Sequence, residues 1–170
     1  MPSLFEKLTT PEDIFSFKLG SALKMEEDIL SMLDDLQETT NRDELRRLFA
    51  THQEETRGHV DRIKQCFQLL GEEIDDSANP VTKGLAAETK TMVKKTDQAI
   101  VDAVLLGGAI ETEHVEIATY EILVDNAHAR GAEEVAALLQ QNLDEEKNAL
   151  KLVSEAAQRI AREGYAQAAA

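Results

Sequence analysis

Seven side chains of metal-binding type fall at helical spacing on otherwise apolar stripes: Glu26, His52, Glu55, His59, Glu113 and the adjacent pair Glu145 and Glu146. Read three and four residues apart, one stripe runs Leu45, Phe49, His52, Glu55, His59, Ile63, Cys66, so two imidazoles and a carboxylate interrupt the middle of an apolar face. A second runs Leu19, Leu23, Glu26, Ile29, Leu33, and a third runs Leu106, Ile110, Glu113, Ile117, Tyr120. The fourth runs Leu139, Asn142, Glu146, Ala149, Val153, with Glu145 at its edge. A carboxylate buried in such a face costs several kcal/mol unless a donor or cation compensates it. No Lys or Arg shares these stripes, and the nearest, Arg62 and Lys147, lie at stripe edges where they reach solvent. Protons or metal ions remain. Carboxylates and imidazoles converging from facing helices form the ligand set of a dinuclear iron or manganese site.

The elements that must position these groups are helices. Aromatic residues make up 4% of the 170 and Trp is absent, whereas Ala, Leu, Glu, Lys and Gln, which lose least on entering a helix, dominate. The punctuation places helices at 11–38, 42–70, 80–94, 97–129 and 132–163: Thr10-Pro11 and Asn79-Pro80 start two of them, Asn41 with Glu44 reads as a capping-box variant, and Gly71, Gly131 and Gly164 follow long periodic segments. Four are long, at roughly 40 Å for about 28 residues, and tight turns with one long connection describe two antiparallel hairpins joined by a crossover that carries the short helix. Glu55 follows Glu26 by 29 residues, and Glu145 and Glu146 follow Glu113 by 32 and 33, a weak internal duplication that brings paired acids to similar heights. The whole chain, 1–170, reads as one domain with an Ala-rich tail at about 165–170 that frays.

Charge and apolar content narrow the function classes. With 18 Lys+Arg against 33 Asp+Glu the net charge is −15, and no local basic patch offsets it, which argues against nucleic acid and acidic membranes as partners. The longest uncharged apolar stretch, 103–110, is far short of the roughly 20 residues that span a bilayer, and no basic-then-apolar leader opens the chain, so a cytoplasmic location is expected. Cys66, the single cysteine, reads as a small core hydrophobe.

The segments Ala22–Glu26, His52–Thr56 with Val60–Arg62, Glu113–Tyr120 and Leu143–Lys147 resemble the ferritin-like superfamily and, within it, the YciF/YciE-type family of bacterial stress-associated proteins. The resemblance implies an all-α, ferritin-like up-down four-helix bundle with a short fifth helix in the crossover, commonly a homodimer, with a dimetal centre. It points to Glu26, His52, Glu55, Glu113, Glu116 and the Glu145/Glu146 pair. The chain departs from the Glu-x-x-His pattern of the superfamily: one helix offers His52-x-x-Glu55-x-x-x-His59, and Asn148 or Ala149 stands where a histidine would fall in the last.

Several choices stay open in the sequence. Adjacent residues point about 100° apart, so only one of Glu145 and Glu146 faces fully inward, and Glu146 lies nearer the centre of its apolar arc. His52 and His59 both face the core, roughly 10 Å apart along it, and either is a candidate nitrogen ligand. Tyr120 reads as a packed core phenol or as a partner to a ligand. His114 and His128 read as surface or supporting imidazoles, and Gly107-Gly108 as a close approach by another helix or by the crossover, with a hinge as the alternative. The expected function is a centre of two Fe ions, or alternatively Mn, per chain, oxidising Fe(II) with oxygen or hydrogen peroxide in a stress-protective role. The alternative is a non-catalytic structural or interaction bundle with a vestigial site.

Overall fold

Local chemistry starts the first helix. Thr10 Oγ1 accepts the Asp13 amide at 3.0 Å while Asp13 accepts the Thr10 amide at 2.9 Å, a reciprocal capping box with Pro11 in the first turn. Helix α1 (Pro11–Thr39) follows in the computed structural model, which describes residues 7–75 and 78–168. Then come α2 (Asp43–Leu70), α3 (Pro80–Lys95), a 3-10 turn at Gln98–Ile100, α4 (Val101–Ala129) and α5 (Glu133–Ala168). α1 and α2 form one antiparallel hairpin and α4 and α5 the other; α2 packs on α5 and α1 on α4, while the crossover helix α3 lies against α4 and α1. The predicted all-α bundle with a helical crossover is the observed architecture, and no described helix is long and apolar enough to cross a membrane.

Asn79 accepts the amides of Val81 and Thr82 to start α3 as its Asn-Pro signal predicts, and Gly71 and Gly131 take positive φ of 69° and 74° just past α2 and α4. Three boundary signals resolve differently. The Asn41–Glu44 capping box does not form: Arg42 is the N-cap without a side-chain bond, because the Asn41 amide is committed to Gln98 of the 3-10 turn. The helix expected from 97 begins at Val101, after Asp97 caps that turn through the Ala99 amide at 2.8 Å. Gly164 does not end α5. A helical glycine costs about 1 kcal/mol relative to alanine, and neighbouring Ala and Arg residues together with the 2.8 Å pair between Glu163 and Arg42 carry the helix through it. The described part of the Ala-rich tail is thus helical to Ala168, and 169–170 lie outside the described residues.

The core is one apolar cluster along the bundle axis, with Leu19, Leu23, Phe49, Ile63, Phe67, Leu106, Leu123 and Leu139 fully enclosed. Cys66 is buried within it, and burial pushes its thiol up to about 12. On α4 the buried face is wider than the predicted stripe and shifted from it: Leu106, Glu113 and Tyr120 are buried, Ile110 and Ile117 are half-buried, and Leu105, Ala109, Thr112 and Glu116 are buried as well. α3 covers an additional side of α4, so α4 is apolar almost all round and its periodicity points in no single direction. A Cβ on Gly108 would collide with Thr89 of α3, the close approach that the glycine pair predicted. At one end of the bundle the buried Asp102 accepts from Thr40 Oγ1 at 2.7 Å and from the Asn41 backbone N–H at 3.2 Å, fastening the α1–α2 turn to the start of α4.

Candidate metal centre

Each of the four long helices delivers acid or imidazole to the middle of the bundle. Glu26, His52, His59, Glu113, Glu116 and Glu146 are all buried, and their donor atoms converge in two groups. Glu26, His59 and Glu146 form one; His52, Glu113, Glu116 and Glu146 form the other. Glu146, on α5, belongs to both. Donor atoms within a group lie within 4.8 Å of one another, a spacing that could hold a metal ion.

The imidazoles explain how the groups are arranged. His59 presents Nδ1 to Glu146 at 2.9 Å and to Glu26 at 3.5 Å; His52 presents Nε2 to Glu113 at 3.3 Å and to Glu146 at 3.6 Å. Neither inward nitrogen is aligned for a hydrogen bond to those oxygens. The outward nitrogens carry separate carboxylates: His59 Nε2 meets Glu145 at 2.8 Å and His52 Nδ1 meets Glu55 at 3.3 Å. A carboxylate on the far nitrogen fixes the tautomer and ring orientation of a metal-binding histidine. The rings lean together, with centroids 6.3 Å apart, closer than two helical turns along α2 would suggest.

Of the eight residues singled out in the sequence, six thus meet at the centre, and two stand outside it. The side chains of Glu55 and Glu145 retain 32% and 36% of their exposure, and neither enters either group. Glu26 comes level with His59, not with Glu55, because the helix pair is offset by about one turn. His114 is exposed, and His128 pairs with Glu133 at 2.9 Å on the surface.

Three residues complete the surroundings. The buried Tyr120 hydroxyl donates to Glu26 Oε1, and Asn142 Nδ2 donates to the Tyr120 hydroxyl at 2.9 Å. Arg62 reaches inward from the edge of α2, giving Nε–H to Asn142 Oδ1 and Nη2–H to Glu145. Sequence reasoning left Arg62 to solvent; an amide at Asn142 in the middle of an apolar stripe was the available signal that a polar partner comes near.

Electrostatics show how poorly the protein alone satisfies this cluster. Burial raises the carboxyls of Glu113 and Glu116 well above the usual carboxylate range, reinforced by the charge of Glu146, and it raises Glu26 against the opposing pull of His59. Burial opposes protonation of His52, but its bond to Glu55 and the charges of Glu113 and Glu146 prevail and push it up to about 9. Burial likewise opposes protonation of His59, yet Glu146 and Glu26 push it up to about 11. Glu146 alone is lowered despite its burial, held down by His59 and then His52. Both oxygens of Glu116 and of Glu146, one each of Glu26 and Glu113, and both inward imidazole nitrogens are buried without a hydrogen-bond partner among the described residues. Buried polar atoms are ordinarily satisfied, and orphans concentrated around one point fit a cation there.

A largely apolar cavity of about 90 Å³ between α2 and α5 is lined by Leu48, Ala149 and Leu152 together with His52, Glu55 and Glu113. A smaller one, of about 20 Å³, lies beneath Thr89 of α3 and meets Glu113 and Glu116 from the other side.

Fold and site together define a ferritin-like helical bundle whose buried Glu/His cluster is compatible with a metal site. The chain belongs to the family described as a domain of unknown function, DUF892, which matches residues 10–166. It is 32% identical over 142 residues to Protein YciF of Escherichia coli strain K12, covering 82% of this chain and 86% of that protein. The crystal structure of the E. coli stress protein YciF superposes with a TM-score of 0.87 at 29% identity, covering 91% of this chain and 99% of that one. YcfI from Rhodopseudomonas palustris gives 0.86 at 27% identity, covering 89% and 98%. A protein from Xanthomonas campestris pv. campestris shares the fold, with a TM-score of 0.77 at 24% identity over 95% of this chain and all of that one.

Proposed function

We propose that the chain binds two divalent iron ions, or alternatively manganese, and uses them in stress protection by oxidising Fe(II) with dioxygen or hydrogen peroxide. The observation that carries the reading is the pair of donor groups sharing Glu146, each with one imidazole and an excess of carboxylates, and each with buried oxygens that have no hydrogen-bond partner among the described residues. Glu26, His59 and Glu146 would hold one ion; His52, Glu113, Glu116 and Glu146 would hold the other. Iron held by these residues would supply the reducing electrons for the oxidant, and the carboxylate-rich donor set would suit its change of charge.

The protein's own residues do the rest. Glu145 and Glu55 hold the outward protons of His59 and His52 and so aim the inward nitrogens. Tyr120 occupies one oxygen of Glu26 and leaves the other to the centre. The α2–α5 cavity admits a small neutral oxidant to the His52 side while its apolar walls exclude bulk water. A homodimer in the cytoplasm completes the proposal, on the resemblance to stress-associated proteins.

Anaerobic loading with Fe(II) followed by metal analysis tests the reading: two ions per chain are expected, and protein that retains none defeats it. The loaded protein should also consume hydrogen peroxide or oxygen faster than free Fe(II). Equal rates with metal bound would favour the structural or interaction role.

A further inference from the structure

We infer that Arg62 is a positioning residue that frames one half of the centre and not the other, holding both Glu26 and His59 in orientation from outside the cluster. The inference rests on the dinuclear reading and adds to it an asymmetry between the two groups.

Six groups close a ring. Arg62 Nε–H donates to Asn142 Oδ1; Asn142 Nδ2–H donates to the Tyr120 hydroxyl at 2.9 Å; the hydroxyl donates to Glu26 Oε1. Glu26 Oε2 faces His59 Nδ1 at 3.5 Å, His59 Nε2 meets Glu145 at 2.8 Å, and Glu145 returns to Arg62 Nη2. Five of the six links are hydrogen bonds, each setting the direction of the next, and the sixth brings Glu26 and His59 face to face without one. With its oxygen taken by Arg62, the Asn142 amide can offer only N–H to Tyr120; the hydroxyl, already accepting, must send its proton to Glu26. One Glu26 oxygen is thereby spent and the other is left to face His59 and the centre. Along the second arm Arg62 fixes Glu145, Glu145 takes the Nε2 proton of His59, and Nδ1 remains as the nitrogen that faces inward.

A guanidinium suits this task because its fork offers donors in two fixed directions, one for a neutral amide and one for a carboxylate. α2 makes room for it. A Cβ at Gly58, one turn before Arg62, would lie 3.3 Å from the Arg62 Nη1. The His52 group has no counterpart: among the described residues Glu55 meets His52 and no basic side chain.

The test is titration of metal-free protein with Co(II), followed by its visible absorption and by calorimetry, in wild type, Arg62→Gln and Arg62→Lys. Two reference variants isolate the halves: His52→Ala leaves the Glu26/His59 group, and His59→Ala leaves the other. Arg62→Gln should weaken Co(II) binding at least roughly tenfold in the His52→Ala background and leave it within about twofold in the His59→Ala background, as expected for groups that orient a ligand. Arg62→Lys should not restore binding, since an ammonium keeps the charge but not the fork. Restoration by lysine, or equal weakening of both halves, overturns the inference. A second readout needs neither metal nor the reference variants. Proton NMR of the metal-free chain should show a slowly exchanging Tyr120 hydroxyl proton in wild type, with exchange accelerated at least tenfold in Arg62→Gln. Unchanged exchange there also overturns the inference. A wild type that binds no Co(II) but shows the NMR effect removes the dinuclear reading while keeping the ring. A wild type that binds two ions with Arg62→Gln indistinguishable from it does the reverse.

Discussion

The two halves of the centre use the same parts in different settings. Around His59 three polar neighbours are themselves fastened: Tyr120 by Asn142, Glu145 by Arg62, and Asn142 by Arg62. Around His52 the outward carboxylate Glu55, about as exposed as Glu145, meets no basic side chain among the described residues, and Glu113 borders the apolar cavity between α2 and α5. One half is braced by Arg62; the other is richer in carboxylate and borders the cavity, which makes it the reachable half of the proposed centre, and Glu146 is common to both. On the proposed function, retention belongs chiefly to the His59 side and reactant access to the His52 side.

The shared residue should show the largest effect. Glu146→Leu removes an oxygen donor from both groups, so metal content should fall from two ions per chain to near zero by elemental analysis. Retention of one full equivalent would mean that Glu146 serves only one half.

Glu113→Leu should strike the reachable half alone, removing about one ion. The Glu113 carboxyl is raised well above its usual range by burial, so the metal-free bundle gains from losing it: a thermal melt with chelator should show stability equal to the parent or better by about 1 kcal/mol. The same change at the exposed Glu111, or at Glu121 with its surface pair to Lys147, should leave metal content unchanged. A large loss of metal-free stability in Glu113→Leu with metal intact would make this carboxyl a structural hydrogen-bonding group.

A smaller effect is expected from the outward carboxylate of that half. Glu55→Gln should weaken one binding step by roughly 10- to 100-fold in a Co(II) titration and leave the other unchanged. Direct coordination by Glu55 would instead abolish the step.

The pH dependence sharpens the contrast between metal-free and loaded protein. Glu113 and Glu116 are raised above their unfolded values, so their contribution to stability is present at acid pH and is lost as they ionise. His52 and His59 have the same sign: their contribution is full below about 6.5 and is lost as pH rises through about 9 and about 11. Glu146, which is lowered, contributes above its unfolded value and loses that only in acid. Melting temperature of the metal-free chain should therefore decline from pH 6 to pH 9, while metal affinity rises over the same interval because fewer imidazole protons must be displaced. A metal-free melting temperature that rises with pH would contradict these assignments.

Much of this was readable before any coordinates. The 3.6-residue period finds Glu26, His52, His59, Glu113 and Glu146, because each interrupts an apolar stripe that buries a clear face. Glu116 escaped the period, since α4 is covered by α3 as well as by its bundle neighbours and its apolar residues mark no single side; the family resemblance supplied it. The outward positions of Glu55, expected in mid-stripe, and of Glu145, at a stripe edge, could not be read from spacing: either carboxylate can turn to the centre or to the far nitrogen of a histidine, and only the ring orientations decide between them. Arg62 was hidden for a related reason. A long side chain at a helix edge reaches solvent or interior equally well, and what draws it inward is Asn142, which lies 80 residues away in the chain.

The central claim is that two ions flank Glu146, and the most direct measurement is an anomalous diffraction map of crystals loaded anaerobically with Fe(II) and collected at the iron edge. The account predicts two peaks per chain, one among Glu26, His59 and Glu146 and one among His52, Glu113, Glu116 and Glu146, with Glu55 and Glu145 outside the coordination of both. A map without peaks in the bundle, or with a single peak coordinated by Glu55 or Glu145, would contradict it.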